Sequence, residues 1–320
     1  MIKVQYIFKN YRRFIRNHQF HRDIFRKLGC YSEVTPKYYR KIDSKITCRN
    51  ILFIFTGAMG DIVNAFTTLK AIKRKYPESL ITWATLGKYS ELVEISGVDK
   101  VLECSDRFEI PVDWIRQNLP DKIFFPEPAA HSLEWKEMGL HSISFIAKSC
   151  EVRIEKNRTI ISENTDANKF IRKYLESKGV KKEYITFSHV SGTASAWELS
   201  RVKRFIQTIK LPVVLLGSEI DPMIEGAIQI FGKSIPQVIE IIRNSKVFIG
   251  PDSGCSWLAT TTDVPMLILM DSQRQKDLPV GFVSILSGEK NNMVEGTIDY
   301  SVKKVFNKVI SMINKIEDVT

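Results

Sequence analysis

The stretch Lys246–Ala259 constrains the fold of this chain more than any other. Val247–Ile249 is a short apolar run, the pattern of a strand buried on both faces. Gly250-Pro251 ends it. Asp252 and Ser253 can cap a helix that begins near Gly254 and runs through Trp257, Leu258 and Ala259. A second apolar run, Pro265–Met270, follows, so strand, tight turn, helix and strand make one βαβ unit. The helix N-terminus of such a unit points free N–H groups outward beside small residues, an arrangement that suits anions and phosphate above all. Helix capping alone would also account for Asp252 and Ser253.

A second stretch repeats the grammar. Ile51–Phe55 is apolar and strand-like, then come Thr56-Gly57-Ala58-Met59-Gly60-Asp61 and an amphipathic helix over Ile62–Lys75. Each half of the chain therefore carries a Gly-containing strand-to-helix turn with an Asp in it. Between and around these turns, short apolar runs alternate with helical periodicity. Strands are predicted at Leu80–Ala84, Lys100–Glu103, Lys122–Phe125, Tyr184–Val190 and Val213–Leu216. Helices are predicted at Tyr89–Ser96, Val112–Asn118, His131–Lys148, Asp166–Lys178, Ala196–Ile209, Pro236–Asn244 and Val302–Ile316. Thr165 or Asp166 would cap the fourth of these, and Gly179 would stop it. Such alternation argues for an α/β protein whose parallel sheets are covered on both faces. The polar residues 151–164 read as a domain junction, after which the alternation starts over.

The 320 residues suffice for two α/β domains of ordinary size. No stretch approaches the roughly 20 apolar residues of a membrane span, and the N-terminus lacks an apolar signal core, which argues against secretion. Cys30, Cys48, Cys104, Cys150 and Cys255 are odd in number and scattered, consistent with free thiols in a reducing compartment. His131, His141 and His189 do not show metal-ligand spacing. The net charge of +11 is uneven: residues 1–50 hold 13 Lys/Arg and three Asp/Glu, leaving about +1 (11 − 10) for the rest. Within residues 1–30, basic residues interleave with aromatic and aliphatic ones. Packing on the body and docking on an anionic membrane surface both fit that pattern. No recognition motif for nucleic acid accompanies the charge.

Three motifs carry a resemblance to a known family. Gly60-Asp61 after a first strand, with Pro77 closing the helix, resembles the opening of the glycosyltransferase family 9 (heptosyltransferase) proteins. Asp252-Ser253-Gly254-Cys255-Ser256-Trp257-Leu258-Ala259 resembles their C-terminal Asp-Thr/Ser-Gly-x-x-His-Leu-Ala element. Leu215-Leu216-Gly217-Ser218 is similar to their mid-domain strand ending in Gly-Gly or Gly-Ser. The match covers roughly residues 50–270, in the expected order.

The resemblance implies two Rossmann-like domains facing across a cleft, the GT-B arrangement. Residues 1–49 would be a basic segment and linker, 50–160 an acceptor-side domain and 161–300 a nucleotide-sugar domain. The helix in 301–320 would cross back to the first domain. The implied activity is inverting, metal-independent sugar transfer without a cofactor. The donor would be an ADP-heptose-like nucleotide sugar. The acceptor would be a bacterial surface glycan or lipopolysaccharide precursor, met at the cytoplasmic face of the membrane.

Such transfer needs a base for the acceptor hydroxyl and donors for the departing diphosphate. By resemblance Asp61 is the base, in a turn where Gly57 and Gly60 let backbone approach a ligand. Asp252, Ser253 and Gly254 match the donor-phosphate element. Ser191 and Thr193 could donate to phosphate oxygens, and Gly217, Ser218 and Glu219 match the region that contacts the nucleoside. Two positions depart from the family: Trp257 replaces His, and Ser195 stands where Lys is common. Arg201, Lys203, Arg274 and Lys276 are candidate substitutes for that cation. A non-catalytic nucleotide-sugar binder is a rival reading. So is a nicotinamide-dependent oxidoreductase, though Gly57-Ala-Met-Gly60 lacks the full Gly-x-Gly-x-x-Gly spacing and Trp83-Ala84-Thr85 lacks the ribose-binding acid.

Overall fold

Apolar runs flanked by glycine and polar turns become strands buried on both faces, and the intervening amphipathic segments cover them as helices. The computed structural model describes residues 48–107, 109–126, 142–156, 158–191, 196–270 and 293–317. The basic segment 1–30, His131, His141, Thr193, Ser195, Arg274 and Lys276 lie outside the described residues. The chain divides into two units. One holds the described residues up to Gly57 together with Ala65–Glu155; the other holds Ala58–Asn64 and the described residues from Lys156 onward.

The first unit contains β1 (Asn50–Ile54), most of α1 (Met59–Lys75), β2 (Leu80–Leu86), α2 (Ser90–Glu94), β3 (Lys100–Cys104), α3 (Val112–Asn118), β4 (Lys122–Phe124) and α4 (Ser142–Ser149). Its strands are parallel in the order β3-β2-β1-β4. Trp83 is fully buried, with its ring edge-on to Phe53 at 4.8 Å and to Phe66 at 6.1 Å. Its indole Nε1 donates to Phe55 O at 3.0 Å, so the one polar atom of this core side chain is satisfied.

The second unit contains α5 (Thr165–Ser177), β5 (Ile185–Ser188), α6 (Leu199–Thr208), β6 (Val213–Leu216), β7 (Ala227–Ile230), α7 (Ile235–Arg243), β8 (Val247–Gly250), α8 (Gly254–Ala259), β9 (Met266–Met270), β10 (Met293–Thr297) and α9 (Val302–Glu317). All six strands are parallel, in the order β10-β9-β8-β5-β6-β7. Counted from β5, this is the doubly wound order 3-2-1-4-5-6, which reverses between β5 and β8. Phe187, Trp197 and Phe205 meet at centroid distances of 6.1 to 6.3 Å. Val305, Val309, Met312 and Ile313 of α9 join the same core.

The α/β class with parallel sheets is thus what the chain adopts, and two details differ from the sequence reading. Helix α1 begins at Met59 and not Ile62, because Ile62 N already donates to Ala58 O at 3.0 Å. Helix α5 is capped by Asn164, whose Oδ1 accepts from Ala167 N at 3.0 Å. Helix α4, Ser142–Ser149, accounts for the described part of the helix predicted over His131–Lys148; the rest of that stretch lies outside the described residues. Gly179 ends α5 as expected, at φ +87°, the left-handed region that favours glycine.

Candidate functional site

In a doubly wound sheet the ligand crevice lies beyond the carboxyl ends of the strands, where their order reverses. In the second unit that point is the end of β5 beside the end of β8. Ser191 follows β5 and its Oγ donates to Asp252 O at 2.7 Å, joining the two strand ends. After β8 the chain turns through Gly250-Pro251-Asp252. Ser253 then caps α8, its Oγ accepting from Ser256 N at 3.4 Å. Ser256 is fully buried, and its own hydroxyl donates to Pro251 O across the turn. The N–H groups of Ser253, Gly254 and Cys255 donate to no acceptor among the described residues. Unspent N–H groups at a helix start favour an anion.

Asp252 points elsewhere. Its Oδ1 accepts from Trp257 Nε1 at 3.2 Å, so the carboxylate and the indole hold each other. The Trp257 ring lies on Gly60: a Cβ there would come 2.9 Å from ring atoms Cγ and Nε1, and closer still to Cδ1. Reciprocally, a Cβ on Gly254 would come 2.8 Å from Met59 Sδ. All four residues belong to the second unit, because Ala58–Asn64 clusters with it. Both glycines are therefore places where a side chain of the facing turn is seated. The half-buried Asp61 is next in line, and its Oδ2 accepts from Ala58 N at 3.0 Å, tying the first turn of α1 together. Gly57 is buried just before it.

The end of β6 completes this edge of the sheet. Asp221 Oδ2 accepts from Ser218 N at 2.6 Å, and Asp221 N donates to Ser218 O at 3.0 Å. A Cβ on Gly217 would collide with that carboxylate, 2.6 Å away. Burial holds the His189 imidazole below its ordinary value, with the negative charge of Asp221 opposing. Burial raises the Cys255 thiol; its hydrogen bond with Ser188 opposes the rise and the Asp221 charge adds to it. Asp221 is thus the carboxylate that organises this corner, and sequence reasoning missed it. Its signal was present as Ser218 and Asp221 at i, i+3 spacing, the pattern of a turn closed by a carboxylate. Glu219, the carboxylate singled out instead, is exposed.

The structure therefore brings Ser191, Asp252, Ser253, Gly254 and Gly60 into one neighbourhood with Trp257, and it places Gly217 and Ser218 around Asp221. Arg201 is structural: its guanidinium donates to Ile298 O and Tyr300 O at 3.2 and 3.3 Å, and pairs with Glu198 at 3.2 Å. Lys203 is exposed on α6. Among the described residues, no group of three or more His, Cys, Asp or Glu side chains could hold a metal ion. No described helix is long and apolar enough to cross a membrane.

No protein-family model matches the chain, and no curated protein does. Solved structures do. A glycosyl transferase of family 9 from Veillonella parvula superposes with a TM-score of 0.63 at 14% identity, over 87% of this chain and 99% of that one. The E. coli ADP-heptose LPS heptosyltransferase II superposes with a TM-score of 0.64 at 12% identity, over 84% and 99%. E. coli heptosyltransferase WaaC with ADP gives a TM-score of 0.54 at 11% identity, over 82% and 99%. The chain has the fold of these glycosyltransferases.

Proposed function

We propose that this protein transfers a sugar from a nucleoside-diphosphate donor to a glycan acceptor of the lipopolysaccharide class. The observation that carries the reading is the turn through Asp252–Cys255: it stands where the strand order reverses, with the N–H groups of Ser253, Gly254 and Cys255 unspent, in a fold shared with heptosyltransferases. The acceptor hydroxyl gives its proton to the Asp61 carboxylate as its oxygen bonds to the anomeric carbon. The bond from that carbon to the donor's phosphate oxygen breaks, and the diphosphate leaves with the electron pair. The N–H groups of Ser253 and Gly254 receive the charge that develops there. One carboxylate and one displacement give inversion, and no metal is required for the leaving group. Ser191, Gly217, Ser218 and Glu219 serve the donor in this reading, and Thr193 is assigned to it by resemblance alone. In this reading residues 50–160 serve the acceptor and 161–300 the donor. The donor base is adenine, as in the ADP-heptose enzymes of this fold, and the acceptor is met at the cytoplasmic membrane face, with residues 1–30 against anionic lipid.

Two measurements test this. Asp61→Asn is expected to lower transfer by roughly 10²–10⁴-fold while leaving ADP binding intact; undiminished transfer in the variant overturns the role of base. In a thermal-shift titration, ADP at about 100 times its dissociation constant adds about 2.7 kcal/mol. A response to UDP or GDP alone keeps the reaction class and replaces the base, and a response to NAD alone replaces the reading with an oxidoreductase.

One observation favours a second reading, a non-catalytic nucleotide-sugar binder. Trp257 occupies the ground over Gly60 and engages Asp252. ADP binding without turnover, under conditions where Asp61→Asn changes nothing, would select it.

A further inference from the structure

Residues 51–320 carry a net charge of only about +1, yet that average hides a local concentration. Between Ser301 and Ile316 there are four lysines and no Asp or Glu. Lys304, Lys308, Ser311 and Lys315 fall at i, i+4, i+7 and i+11, which puts them on one stripe of α9, beside the core stripe Val305, Val309, Met312 and Ile313. With Ser301 and Asn307 this stripe borders a shallow, open surface groove of about 580 Å³. None of the four lysines pairs with a carboxylate among the described residues.

Such an arrangement works against the helix that carries it. Lys303 and Lys304 lie in the first turn, where the helix dipole disfavours cations and where no acidic residue offsets them. Lys304 and Lys308 repel at i, i+4 spacing. Ser301 still caps the helix, its Oγ accepting from Lys304 N at 3.3 Å. Two of the lysines are held in place. Lys304 Nζ stands 3.8 Å and Lys308 Nζ 5.7 Å from the centroid of the Tyr300 ring. A positioned row of like charges, unfavourable by itself, is stabilised by an anionic partner.

We propose that the outer face of α9 docks on an anionic lipid surface. Charge complementarity identifies the partner. The cations are all lysines, compact point charges on long stems suited to a diffuse layer of phosphates, whereas planar bidentate recognition would use arginine. The Tyr300 ring is engaged by the Lys304 ammonium at 3.8 Å, so the aromatic group of this face serves to hold a lysine. The stripe spans about 16 Å along the helix at 1.5 Å per residue, a line of contact and not a pocket for one phosphate. This face lies on a described helix more than 250 positions along the chain from the basic residues 1–30, so it would be an electrostatic signal additional to any that they supply.

The test is co-sedimentation of the full chain with phosphatidylcholine vesicles, with and without phosphatidylglycerol. The wild type is expected to pellet only with the anionic vesicles, and less as salt rises. The triple variant Lys304→Gln, Lys308→Gln, Lys315→Gln is expected to bind roughly a hundredfold more weakly, at about 1 kcal/mol per basic residue near the surface. Its melting temperature should be unchanged or higher. The triple Lys→Arg variant, which keeps the charge, should bind as the wild type does. Undiminished vesicle binding by the Gln variant overturns the proposal and leaves residues 1–47 as the carrier. Loss of binding by the Arg variant overturns it too, as does a wild type that ignores anionic vesicles or prefers a single-stranded oligonucleotide to them.

Discussion

Trp257 and Gly60 are matched by subtraction: the indole occupies the volume that any Cβ on residue 60 would need. Gly60→Ala should therefore force the ring away and cost about 1–3 kcal/mol of stability, read as a lowered denaturation midpoint. Trp257→His in the same chain should recover most of that loss, since the smaller ring leaves room; no recovery would show that residue 60 needs glycine for its backbone alone. His189 sets a second expectation. Its pKa is depressed in the folded protein below the ordinary 6.5, first by burial. The unfolded chain then binds the proton more readily. The stability contributed is complete above about pH 6.5 and is lost as pH falls through the lower, folded value. His189→Gln should flatten the slope of the urea midpoint against pH in that acidic window. An identical slope in the variant would assign it to another group.

At the level of elements, caps and burial decide what local sequence leaves open. Helix α7 begins with a complete capping box: Ser234 Oγ accepts from Gln237 N, and Gln237 Oε1 accepts from Ser234 N. Ser234→Ala should cost about 1 kcal/mol and leave nucleotide affinity unchanged, which a denaturation midpoint and a binding titration would check together. The sequence was most legible where a strand is buried on both faces, as for β1, β6 and β8. There every residue is apolar or nearly so, and glycine marks the end. Strands β7 and β10 went unseen because polar residues and glycine interrupt them. Ala227–Ile230 carries Gln229, and Met293–Thr297 carries Glu295 and Gly296, so neither shows a continuous apolar run. The start of α5 was misjudged by one residue for a reason of tertiary origin. Asn164 N donates to Glu240 Oε1 at 3.0 Å, a carboxylate 76 positions away and fully buried beside Arg243, and this fixes the backbone from which Asn164 caps the helix. Asp252 and Ser253 were legible as a cap-bearing turn. The use of the Asp252 side chain by Trp257 was not, because that pairing depends on how the first turn of α8 is wound.

For the molecule as a whole, the short segment Ala58–Asn64 matters out of proportion to its length. It interrupts the first unit in sequence and joins the second by its contacts. A fragment of residues 156–320 would keep every strand of the larger sheet yet lose Gly60 and Met59. Its circular dichroism should retain α/β character, while Trp257 should emit at longer wavelength than in the intact chain, with a Trp257→Phe fragment as reference; an unshifted emission would mean that the indole is shielded from within 156–320. The order in which the chain is made has its own consequence. Strand β5 leaves the ribosome early, but its neighbour β8 follows some 60 residues later, and the apolar stripe of α9 that closes over β5, β6 and β8 comes later still. Until then Trp197 and α6 are the only cover that Ile185, Phe187, Val213 and Val247 have from this core cluster. A nascent chain stalled before residue 302 would leave the part of that face reserved for α9 open to solvent, where chaperones or other stalled copies would find it first.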